Sequence, residues 1–150
     1  KMIELFSRTN YLLQEENGLT PIHIDDSVSS LSAILLNDAY YQALMDGREI
    51  MRGISVLKPE WIIPFKAKAW LDLREKKDVD SSDIKKHRND IIRIVSDMVL
   101  QKCILPDEVR KDMEKFIEQF DVTESELKNL KIRGTKPEDI KRVLQTTYLD

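Results

Sequence analysis

The chain is poor in cysteine and glycine, has no long apolar run, and carries no strong excess of either charge. Its single cysteine, Cys103, excludes an internal disulfide and suits a reducing cytoplasm, which is the expected location. Only four glycines occur (Gly18, Gly47, Gly53 and Gly134), and none stands in a phosphate-binding loop. No apolar run approaches the roughly 18 residues that span a bilayer, so no membrane partner is expected. The opening Lys1-Met2-Ile3-Glu4 lacks the charged start and long apolar stretch of a signal peptide. It runs at once into a strand-like pattern, as a sequence would that starts partway into a fold. With 24 Lys and Arg against 27 Asp and Glu, the formal net charge of −3 excludes a global basic footprint for nucleic acid. What is present is 150 residues, 41% hydrophobic and 34% charged, enough for one ordinary core and not a disordered composition.

Periodicity divides the chain into a mixed first third and a helical remainder. "MIELFS" alternates like a short strand, and "LTPIHIDD" reads as a second, with Pro21 at its start or on an edge. "DSVSSLSAILLNDAYYQALMDG" reads as a helix, with Ser27 or Ser30 as cap and Gly47 as the residue just past its end. "REIMRGISVL" gives a strand or hairpin broken at Gly53. Pro59 opens a helix that continues to about Lys76, with Pro64 placed to bend its entry. A polar linker follows, then a helix from about Ser82 to Cys103 and another from Pro106 to near Phe120. "TESE" at Thr123–Glu126 matches a capping box, and a last helix carries Val143 and Leu144. The expected fold is α+β: a partial sheet over residues 1–57, then a mainly helical bundle over 58–150.

Lys66 raises the sharpest question. At about 100° per residue, Ile62, Ala69 and Leu73 fall on one line, with Lys66 about 40° from Ile62 on the same face. A lysine on an apolar stripe must snorkel, pair with a carboxylate, or serve a site. Two antiparallel helices joined by the short linker would bring Asp90 to it, as a structural pair or as a site pair. On the second helix, His87 falls on a stripe of Ile84, Ile91, Ile94, Val95 and Met98. Spacings of three and four let it share a side with Asp83 and Asp90. Such a group could order a base or hold a metal, or be a satisfied polar edge. Two strand carboxylates, Glu4 in "IEL" and Asp25 in "HID" beside His23, have the hard-oxygen chemistry that Mg²⁺ requires in phosphoryl transfer. Residues 66–93 carry a local charge of +3, and "KKHR" (Lys85 to Arg88) would present cations to a triphosphate or RNA, or form a solvated face.

Three stretches taken together, "ELFSRTNYL", "PIHIDDSVSSLSAILLNDAYY" and "GISVLKPEWIIPFKAKAWLDLREKKDVDSSDIKKHRNDIIRI", resemble the later portion of bacterial nucleotidyltransferase-fold proteins related to the AbiEii/AbiGii abortive-infection toxins. The likeness runs from about residue 3 to 95 and is sharpest over "IPFKAKAWLDL" and "KKHRND". It implies a catalytic lysine and aspartate at Lys66 and Asp90, with Lys66 at the nucleotide phosphates; the local positive charge adds Lys86 and Arg88 as candidate nucleotide contacts. The resemblance also implies metal ligands at Glu4 and, as second choice, Asp25, with Mg²⁺ and an NTP as cofactors. The reaction would be NMP transfer to an RNA or protein hydroxyl. The family's first motif, Gly-Ser followed by Asp-x-Asp or Asp-x-Glu, does not occur in these residues. It would precede Glu4, so this stretch is not expected to catalyse transfer alone. The alternative is a non-catalytic interaction module that contacts a partner such as an antitoxin. A weaker option is an RNA-binding helical domain.

Overall fold

A computed structural model describes the backbone of residues 5–8 and 33–36, and residues 37–76 and 80–150 in full. The protein is α+β and mostly helical. Two short strands, β1 (Leu5–Arg8) and β2 (Ala33–Leu36), pair in parallel, with Leu5 opposite Ala33 and Arg8 opposite Leu36. Helix α1 (Asp38–Gly47) leads into an antiparallel hairpin of β3 (Arg48–Met51) and β4 (Ile54–Leu57). Then come α2 (Pro59–Glu75), α3 (Ser81–Asp97), α4 (Asp107–Gln119), α5 (Glu124–Asn129) and α6 (Pro137–Tyr148). The expected second strand around Pro21 lies outside the described residues.

Most element ends follow local chemistry. The hairpin turns at Arg52-Gly53, both with positive φ (51° and 78°), the pair of left-handed residues that a two-residue turn between twisted strands requires. Pro59 starts α2, where its missing N–H is no loss. The Asp80 carboxylate accepts the Ser82 N–H at 2.9 Å and caps α3. The "TESE" box forms as read: Thr123 and Glu126 each accept the other's backbone N–H.

Three expectations are corrected. The long helix proposed from Asp26 is, where described, strand β2 followed by α1. Asn37, not a serine, is the cap, its Oδ1 accepting the Tyr40 N–H at 3.0 Å. A four-residue apolar run such as "AILL" fits either element, and pairing with β1 decided for strand. Gly47 is the last helical residue of α1 and not a left-handed residue beyond it. Helix α3 stops at Asp97, six residues short of Cys103. Ser96 Oγ bonds back to the Ile92 carbonyl at 2.7 Å, a contact that weakens the helical ladder. Beyond it, Cys103 and Leu105 are buried while Ile104 between them is 88% exposed, the period of two of an extended chain. The Cys103 N–H then donates to the Thr147 carbonyl of α6 at 2.9 Å. Burial, with the Glu60 carboxylate adding to it and Lys58 opposing, pushes the Cys103 thiol up to about 12. A disulfide reagent should therefore label Cys103 slowly in the native protein and fast in denaturant; equal rates would place the thiol outside the core.

Helix α2 is the centre of the core. Its buried residues Trp61, Ile63, Pro64, Ala67, Trp70 and Leu71 are covered by packing against α1, α3 and α4. Trp70 meets Phe116 of α4 edge to face at 5.3 Å, and Phe116 lies against Phe120 at 4.7 Å. Ile91, Ile92 and Val95 of α3 and Ile140 and Leu144 of α6 close the same cluster, which also takes in Tyr40 and Ala43 of α1. Each such large apolar side chain contributes about 1.5–3 kcal/mol by leaving water. Among the described residues, no helix is long and apolar enough to cross a membrane.

Candidate functional site

The core face of α2 is not the stripe that the sequence suggested. At about 100° per residue, the line of Ile62, Ala69 and Leu73 lies about 130° round the helix from the centre of the Ile63–Ala67–Trp70–Leu71 face. Those three residues are half-buried, whereas that face is buried. Helix α2 is apolar on nearly every side, so periodicity offered two stripes. The face with Trp70 won because α1, α3 and α4 together cover it, while Trp61, half a turn round from Trp70, is buried separately against Gly47 of α1. Lys66 and Lys68 therefore flank the core, one on each edge, and neither points into it.

Both edges are ionic. On one, Lys66 Nζ donates to Asp90 Oδ2 of α3 at 2.8 Å, with the side chains 21% and 29% exposed. The two positions are equidistant from the middle of the α2–α3 linker, so an antiparallel helix pair brings them together. On the other edge, Lys68 Nζ lies 3.1 Å from Asp72 and 3.5 Å from Asp112 of α4. The buried Tyr40 hydroxyl donates to that same Asp112 oxygen at 2.9 Å. Burial and the adjacent Asp112 carboxylate hold the Tyr40 phenol well above its ordinary range. This second cluster was missed in the sequence, because Asp112 and Tyr40 lie far from Lys68 along the chain.

Arg88 is held within the chain. Its guanidinium forks onto Glu126 of α5, at 2.5 and 2.9 Å, donates to the Asp121 carbonyl, and lies over the Phe120 ring at 5.6 Å. Glu126 therefore does two things at once, capping α5 and tying α3 to the α4–α5 junction. The Arg88 hydrogen bonds, with the Thr123 backbone N–H assisting, lower the Glu126 carboxyl to about 2. The consequence for stability has a definite sign. A carboxyl depressed from its ordinary 4.5 to about 2 stabilises the fold above pH 4.5, and that contribution is lost as pH falls from 4.5 toward 2. In urea melts, the stability difference between wild type and Glu126→Gln should shrink across that window. A constant difference would mean that Glu126 does not carry the shift.

Of the other expected site residues, Lys86 and Asp83 are exposed on α3 and His87 is half-buried. Among the described residues, no three His, Cys, Asp or Glu side chains come together in a group that could hold a metal ion. Glu4, His23 and Asp25 lie outside the described residues. The tail after Pro106 supplies Asp112 and Glu126, the acceptors for Lys68 and Arg88. The signal in "TESE" was legible as a cap; its partner on α3 was not. No family model matches the chain, and neither a curated protein nor a solved structure matches it.

Proposed function

We propose that this chain is the C-terminal portion of a nucleotidyltransferase-like protein that, when complete, transfers NMP from Mg·NTP to an RNA or protein hydroxyl. One observation supports the reading. Lys66 and Asp90, which the resemblance singles out on two successive helices, meet at 2.8 Å and keep part of their surface open to solvent. The pair lies between an exposed bridge, worth about 0–1 kcal/mol, and a buried one, so its part in the fold leaves room for a second role. An accessible ammonium held by a carboxylate is suited to neutralising phosphate charge. Lys86, exposed about one turn from Asp90 on α3, would add charge, whereas Arg88 is already engaged by Glu126. Glu4, with Asp25 as second choice, would supply the third Mg²⁺ carboxylate beside the two of the family's first motif.

The test is Lys66→Ala in the complete gene product. Transfer of labelled NMP is expected to fall at least about 100-fold, as for loss of a group stabilising transition-state charge, with stability changed by less than about 1 kcal/mol. Undiminished transfer by the variant would overturn the assignment. A second reading, a non-catalytic interaction module of a toxin–antitoxin type system, is favoured by one fact: Lys66 and Arg88 both already have carboxylate partners within the chain. Absence of any transfer by the complete wild-type product, together with tight binding of a cognate antitoxin, would select it.

A further inference from the structure

We draw no further inference here: the strongest candidate, the apolar tip of the β3–β4 hairpin, where Ile50, Met51 and Ile54 are 73%, 57% and 67% exposed, is an unpartnered surface, and nothing in the structure shows what covers it.

Discussion

Gly47→Ala is expected to lower stability by about 3 kcal/mol, the upper end of the usual cost of overpacking a tight core. Gly47 is buried at the end of α1, and its φ is not in the left-handed region, so backbone freedom is not what it supplies. It supplies the absence of a side chain. A Cβ there would lie 2.3 Å from Trp61 Cγ, 2.4 Å from its Cβ and 2.8 Å from Cδ2. Those atoms are the stem of the indole and not a flexible tip, and Trp61 itself stands in the first turn of α2. Relief would need α1 and α2 to separate, loosening the contact through which α1 joins the core. Intrinsic preference points the other way, since alanine in a helix interior is favoured over glycine by about 1 kcal/mol. Urea denaturation of the two proteins therefore decides by sign. A stabilised variant would mean that α1 and α2 do not approach so closely. A destabilised one whose loss is largely recovered in Gly47→Ala/Trp61→Leu would locate the strain at this contact.

Tyr148→Phe is expected to cost about 2 kcal/mol, although it removes one oxygen atom from the last turn of α6. The reason lies in Pro64. A proline has no N–H, so the carbonyl four residues earlier in α2, that of Glu60, loses its helical partner. That carbonyl faces the interior, where an unsatisfied acceptor costs about 1–3 kcal/mol. The Tyr148 hydroxyl donates to it at 2.5 Å from 88 residues away, and the tyrosine is 2% exposed. Burial, chiefly, holds the phenol well above its ordinary range, which keeps the hydroxyl protonated and able to donate. Restoring the missing N–H should make the hydroxyl less necessary. In a double-mutant cycle, Tyr148→Phe is expected to cost about 1 kcal/mol less in the Pro64→Ala background than in wild type. Strict additivity would show that the hydroxyl does not repair the proline break.

The sequence was legible at several short-range signals and, once, across a short linker. Pro59 and the "TESE" box gave the starts of α2 and α5, Gly53 gave the hairpin turn, and the linker between α2 and α3 gave the Lys66–Asp90 pair by symmetry. These depend on dihedral preference, on a cap within reach, or on two helices folding back on each other. The caps and the turn need little from the rest of the chain.

Only the tertiary structure decided which face of α2 is buried, where α3 ends, and what Arg88 touches. Helix α2 could have buried either of two apolar stripes, and the choice rested on which could be covered by α1, α3 and α4 together. No proline or glycine interrupts the chain between Asp97 and Pro106, yet the helix ends because the extended form buries Cys103 and Leu105 and bonds to α6. Arg88 looked like a cation on offer to a ligand until Glu126, 38 residues away, was brought onto it. In each case local preferences were nearly balanced, and the deciding energy came from contacts distant along the chain, to which periodicity is blind.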